Sequence, residues 1–255
     1  VQAVTRAFNI LREIASNSDG RSFAEIAAAT GLPLSTCHRS LRGLVDSGLV
    51  TRDATMKRFY PGPALVRLAA TVWTTSSGQI VDSSLVRLRD RWQECFFLAS
   101  VVEDSIICTR SASAMDAHRM SVSVPLGQQM NPHAAASCKA ILAFRSESER
   151  EALLAAAGGL VRLTDRTIVD IEVLRRELDK IPSRGYAICD QEAEYGVATF
   201  AVPVIPSSGP VRSSLGVVGP RDRLFASRDA GLIDDMTEVA AAFAGVASEL
   251  LAQTL

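Results

Sequence analysis

The stretch Ser22-Phe23-Ala24-Glu25-Ile26-Ala27-Ala28-Ala29-Thr30-Gly31-Leu32-Pro33-Leu34-Ser35-Thr36-Cys37-His38-Arg39-Ser40-Leu41-Arg42 decides the fold of the N-terminal part of the chain. Ser22 followed by Glu25 is a capping box, in which hydroxyl and carboxylate each satisfy a backbone N–H that a helix start leaves open. Phe23, Ile26 and Ala27 give this helix an inner face, and Gly31 ends it. Pro33 suits the first turn of a following helix, where its missing N–H costs nothing. Helical spacing turns Leu34, Cys37, Leu41, Leu44 and Val45 inward. The outward face is left with Ser35, Thr36, His38, Arg39 and Arg42.

Upstream, Val4, Ala7, Phe8, Leu11, Ile14 and Ala15 predict an amphipathic helix over 2–16, closed by a turn at 17–20. Downstream, the period changes after Gly48. Segments 49–52 and 58–60 read as short strands joined by a turn with a basic tip. Three helices and a hairpin make a winged helix-turn-helix. In that arrangement the last helix meets base edges in the major groove, while flanking hydroxyls and cations meet phosphates. Arg39 and Arg42 each offer a bidentate donor pair to guanine. Ser35, Thr36 and His38 share their face, and Lys57 and Arg58 on the wing reach backbone or minor groove. Thr5 and Arg6 at the start of the first helix add a phosphate contact. The expected partner is a double-stranded DNA operator.

The charge distribution agrees. The whole chain of 255 residues carries 27 Lys+Arg and 28 Asp+Glu, net −1, which excludes a uniformly basic nucleic-acid coat. Residues 1–62 hold 8 cations and 5 acidic groups, net +3, so the remainder is −4. We therefore divide the chain into a DNA-binding domain at 1–62, a linker helix at 63–79 with a polar hinge at 74–78, and a larger domain at 80–255. The larger part predicts helices over 80–94, 137–144, 147–157, 171–183 and 227–252. It predicts strands over 96–102, 105–110, 120–124, 186–190, 199–205 and 213–218. This mixture is α+β. Five cysteines without close spacing argue against a disulfide framework and for a reduced, cytoplasmic protein. No membrane span, catalytic motif, metal-binding spacing or cofactor fingerprint is found, so the chain is expected to be no enzyme and to need no cofactor.

Several motifs resemble the IclR family of bacterial transcriptional regulators. They are the run Ala24–Arg39 through Thr30-Gly31-Leu32-Pro33, then Arg58-Phe59-Tyr60-Pro61-Gly62-Pro63, and Asn131-Pro132-His133-Ala134-Ala135-Ala136-Ser137-Cys138-Lys139. Arg184-Gly185-Tyr186, Ala201-Val202-Pro203-Val204 and Gly216-Val217-Val218-Gly219-Pro220 continue the match. The resemblance implies a winged-helix domain, a linker helix and a GAF-like C-terminal domain that binds a small effector, in a homodimer or tetramer. The effector positions it implies are Ala136, Ser137, Cys138, Cys189, Asp190, Thr199, Gly216 and Val218. The helix starting near Ser137 would face the effector with its N-terminus, which favours an organic acid. Arg110 and Arg119 are further carboxylate-clamp candidates. Many members have glycine at Cys138, serines at Gly216 and Val218, and an acidic residue at Cys189. These departures suggest fewer hydroxyl donors and a larger, partly apolar acid, aromatic acids included. An alternative is a thiol-based redox sensor. It would use Cys138, activated by the helix N-terminus and Lys139, together with Cys189, or bind a metal through them and His133.

Overall fold

The computed structural model describes residues 2–17, 19–53, 55–73, 76–114 and 120–252. Ser18, Ala54, Thr74 and Thr75, which belong to the expected turn, wing tip and hinge, lie outside the described residues, as do His118 and Arg119. The chain forms two compact units, Val1–Gly78 and Gln79–Leu255.

In the first unit α1 (Gln2–Ala15), α2 (Phe23–Thr30) and α3 (Leu34–Asp46) surround a core of Ile10, Ile14, Ile26, Cys37, Leu41 and Leu44. Strands β1 (Arg21–Ser22), β2 (Val50–Asp53) and β3 (Arg58–Pro61) form an antiparallel sheet in the order β1-β3-β2, and α4 spans Pro63–Trp73. The capping box closes as read: Glu25 N–H donates to Ser22 Oγ and Ser22 N–H to Glu25 Oε2. Pro33 is the N-cap residue of α3 rather than a member of its first turn. Four expected core residues are exposed, Val4 at 68%, Phe8 at 69%, Leu34 at 65% and, with them, Ala15. Phe8 lies two residues from buried Ile10, about 200° around the helix, so both cannot face the core. Leu34 opens α3 one turn before its first buried residue, Cys37.

In the second unit β4 (Cys95–Val102), β5 (Ser105–Ala112), β6 (Ala187–Asp190), β7 (Val197–Val204) and β8 (Ser213–Pro220) form an antiparallel sheet ordered β5-β4-β8-β7-β6. One face, with Phe97, Ala99, Ala201 and Val218, packs on α6 (Ala136–Leu142), α7 (Glu147–Ala156) and α8 (Ile171–Arg184). The other, with Phe96, Phe200, Leu215 and Val217, packs on α5 (Ser76–Trp92), α9 (Arg221–Asp229) and α10 (Leu232–Ala252). Burying both faces explains why β7 is almost wholly buried instead of alternating.

Three expectations fail here. Segment 120–124 is not a strand. The chain joins β5 only beyond Pro125, where Cys108 N–H donates to Gln128 O and Met130 N–H to Ile106 O. The single helix expected over 227–252 is two helices. They part at Gly231, whose φ of 100° no helix accommodates and an L side chain rarely adopts. The polar stretch read as a hinge ends in helix, since α5 already begins at Ser76.

Candidate functional site

The first candidate surface is the outer face of α3 with the β2–β3 wing. Ser35, His38, Arg39 and Arg42 are exposed and Thr36 is half-buried, because Cys37, Leu41 and Leu44 face the core. Arg39 has no hydrogen bond or ion pair among the described residues, and Arg42 has only a 3.9 Å pair with Asp46, both side chains largely in water. Such a pair contributes little, so both guanidiniums are available to a ligand. Thr5 is exposed on α1, and Arg6 Nε donates to Gln2 O at 2.9 Å. At the wing tip Asp53 Oδ1 accepts N–H donors from Thr55 and Met56, and Lys57 is exposed with a φ of 54°.

Arg58 does not stand free on the wing. Its Nε donates to Asp19 O at 2.9 Å, its Nη2 donates to Gly20 O at 3.1 Å, and Nη2 lies 3.5 Å from Glu25. Arg58 begins β3 opposite Ser22, so its side chain reaches the turn before α2 and clamps it. The cation that the motif reading missed is Arg52. It shares a groove of 330 Å³ with Phe23, His38, Arg42 and Phe59, its guanidinium 5.9 Å from the Phe59 ring centre. Alternation from buried Val50 carried this signal, since it puts Arg52 on the helix side of β2.

The second candidate is a cavity of 180 Å³ between α6, the sheet face beneath it and segment 122–131. Of the expected residues, Ser137, Cys189, Thr199 and Val218 line it. Ala136, Cys138, Asp190 and Gly216 do not. Ala136 and Cys138 are fully buried in packing around α6. Asp190 follows Cys189 on a strand, so it points to the other face, where Arg221 holds it at 2.7 and 3.1 Å. That guanidinium keeps the Asp190 carboxyl below its ordinary range. Gly216 lies on the cavity side but beneath the Phe97 ring.

The unexpected walls are Phe97, Val122–Val124 and Gln128–Asn131. Phe97 falls in the strand expected over 96–102 and Val122–Val124 in the one expected over 120–124, whereas Gln128–Asn131 carry no periodic signal. Ser137 Oγ donates to Met130 Sδ at 3.0 Å, and among the described residues no side chain caps the first turn of α6 at Ala135. Glu194 is the one charged residue in the wall among the described residues. Lys139, next to the cavity in sequence, is fully buried and gives its ammonium to Glu192 at 2.6 and 2.5 Å and to Ile188 O at 3.3 Å. Arg110 pairs with Asp82 at 3.2 Å.

The geometry also removes the basis for a reactive thiol. Burial pushes the Cys138 and Cys189 thiols up, because a thiolate there would be desolvated. The nearby lysine cannot offset this, since Glu192 already neutralises it. Cys189 Sγ donates to Ala134 O at 3.0 Å, and all five cysteines are free and buried. His133 Nε2 meets Val161 O at 2.8 Å, and no group of three or more metal-ligating side chains occurs among the described residues.

Residues 3–54 match the family model described as the IclR helix-turn-helix domain, and residues 77–244 the one described as the bacterial transcriptional regulator IclR C-terminal. The HTH-type transcriptional regulator BhcR of Paracoccus denitrificans is 28% identical, over 94% of this chain and 85% of its own. The transcriptional repressor IclR of Escherichia coli is 26% identical, over 96% of this chain and 91% of its own. Among solved structures, an IclR transcriptional regulator from Alicyclobacillus acidocaldarius shares the fold with a TM-score of 0.85 at 27% identity, covering 96% of this chain and 98% of that one. An IclR homolog from Microbacterium hydrocarbonoxydans, complexed with 4-hydroxybenzoate, has a TM-score of 0.78 at 23% identity over 96% and 98% of the two chains.

Proposed function

The chain belongs to the IclR family of bacterial transcriptional regulators, and from that premise we propose how this DNA-binding regulator reads its operator and what it senses. The open cation and hydroxyl face of α3 carries the reading. Arg39 and Arg42 contact base edges with Ser35, Thr36 and His38 beside them, Arg52 joins them from the groove, and Lys57 and Thr5 bind phosphates. The exposed apolar side chains Val4, Phe8 and Val66 suit a second copy of the chain and support a homodimer or tetramer that reads a pseudo-palindromic operator. Such a regulator works in the cytoplasm, beside the chromosome. No helix among the described residues is long and apolar enough to cross a membrane.

A gel-shift series over salt tests the assigned face. Arg39→Ala weakens binding and relaxes sequence preference, by about 1–3 kcal/mol for a bidentate base contact. Lys57→Ala weakens binding to all sequences alike and lowers the salt slope by about one. Unchanged affinity in both variants refutes the assignment.

The effector is a small organic acid held in the α6 cavity. At 180 Å³ the cavity lies below the roughly 300–1,000 Å³ of drug-sized sites, which favours a compact ligand over the larger acid expected from the sequence. Open N–H groups at the start of α6, with the Thr199 hydroxyl, supply donors for a carboxylate. A protein of the same fold binds 4-hydroxybenzoate, which makes that acid a first probe. The effector changes operator affinity only by the difference between its affinities for the two arrangements of the DNA-binding units. Calorimetry against aromatic and short oxo-acids checks the class, and binding confined to the short polar acids excludes the apolar reading.

A further inference from the structure

The sheet floor of the cavity has an unusual composition. Residues directly opposite one another across antiparallel strands share a face. Cys95, Val218, Thr199 and Cys189 form one such row across β4, β8, β7 and β6. The next row is Phe97, Gly216, Ala201 and Ala187. Phe97 is its one large side chain, and the row is otherwise nearly flat. A Cβ at position 216 would stand 2.7 and 2.9 Å from Cε2 and Cε1 of Phe97, and closer still to Cζ. The ring therefore lies over Gly216, and the absent side chain there is what lets it lie down. Phe97 is only 2% exposed, yet it lines the cavity.

We propose that Phe97, seated on Gly216, is the specificity-determining wall of the effector cavity and selects a single planar ring carrying no more than one negative charge. This rests on the reading of the cavity as the effector site. An aromatic wall favours an aromatic partner in offset or edge-to-face contact. The cavity has room for one ring and little more. Among the described residues its lining holds no cation, and Glu194, the one charged residue there, repels a second carboxylate. The nearby ions are already spent on each other, Lys139 on Glu192 and Asp190 on Arg221.

Calorimetry on the full chain with benzoate, cyclohexanecarboxylate and phthalate separates ring shape from charge. Benzoate is expected to bind about tenfold more tightly than cyclohexanecarboxylate, which has the same charge without the planar ring, and phthalate more weakly than benzoate. Phe97→Leu keeps an apolar side chain of similar bulk. It should weaken benzoate about tenfold and bring it level with cyclohexanecarboxylate. Gly216→Ala, whose methyl lifts the ring into the cavity, should abolish benzoate binding. Melting curves and far-UV circular dichroism establish that each variant is folded. The proposal is overturned if benzoate and cyclohexanecarboxylate bind wild type equally, if phthalate matches benzoate, if Phe97→Leu leaves benzoate unchanged, or if no probe binds. Failure of the regulator reading itself would show elsewhere, as loss of operator binding by the wild-type chain.

Discussion

Replacing Lys139 by methionine should be among the most damaging single changes in the C-terminal unit, and a second substitution should largely repair it. The Lys139 side chain is wholly buried, and the Glu192 side chain is 11% exposed. Both carboxylate oxygens face the ammonium. Lys139→Met keeps the apolar stem but strands the Glu192 carboxylate in the interior, at a cost of about 3–5 kcal/mol. For a unit of this size that is a fall of roughly 6–20 °C in melting midpoint. Lys139→Met with Glu192→Gln removes both charges, and its stability should return to within about 1–2 kcal/mol of wild type.

The deficit depends on pH with a definite sign. Burial already raises the Glu192 carboxyl above its ordinary range despite Lys139, and Glu177 nearby raises it further. Without the lysine it rises more. A raised carboxyl gives stability that is full below about pH 4.3 and lost as pH rises through the folded-state value. The single variant should therefore be closest to wild type in mild acid and furthest from it above neutrality. Thermal unfolding of the three proteins at several pH values measures this. A single variant within about 1 kcal/mol of wild type, or a double variant no better than the single, refutes a buried, uncompensated charge as the cause.

Other substitutions separate structural groups from binding groups. Arg58→Ala should cost the N-terminal unit about 1.5 kcal/mol in lost charge-assisted bonds to Asp19 and Gly20. Unlike Lys57→Ala, it should leave the salt slope of operator binding unaltered, and a slope reduced by about one would return Arg58 to the DNA face. Gly231→Ala should lower stability by at least about 1 kcal/mol, because alanine resists a positive φ, and an unchanged melting curve would show that the α9–α10 junction relaxes freely. The Ser22 backbone N–H and hydroxyl hold the Glu25 carboxyl low, so its contribution is present above about pH 4.3 and lost as pH falls through the depressed value. Glu25→Gln should flatten that acid limb in a pH–stability profile. The buried Cys138 and Cys189 thiols should resist alkylation until the chain unfolds, and operator binding should ignore peroxide; rapid native-state labelling would revive the redox reading.

What was legible in the sequence was local. Ser22 with Glu25 closes as a capping box, because it needs only one turn of chain. The β4–β5 hairpin and the helices α7 and α8 follow in the same way from period and punctuation. Facts set by distant partners were not legible. Val4 and Phe8 fit a helical stripe as well as Ile10 and Ile14 do, and only the docking of α2 and α3 decides which stripe is buried. Arg58 read as a wing cation because nothing in its neighbourhood announces carbonyls 38 and 39 residues away. Segment 120–124 alternates like a strand, but no sheet edge receives it.

The cavity shows where a motif stops being informative. A motif carries positions, and a wall is made of directions. Cys189 and Asp190 are neighbours on β6, so the two-residue period of a strand already forbids both from facing one ligand. Ala136, Ser137 and Cys138 step about 100° apart around α6, and only Ser137 opens onto the cavity. Gly216 faces the right way, but a wall residue without a side chain yields its place to the largest neighbour in its row, here Phe97. Strand and helix periods alone therefore exclude Asp190 and at least one of the α6 trio from a shared wall. The replacement of Gly216 by Phe97 needed the cross-strand register. In the proposed effector site the ring therefore takes the place of the glycine, because the ring and not the glycine lines the cavity.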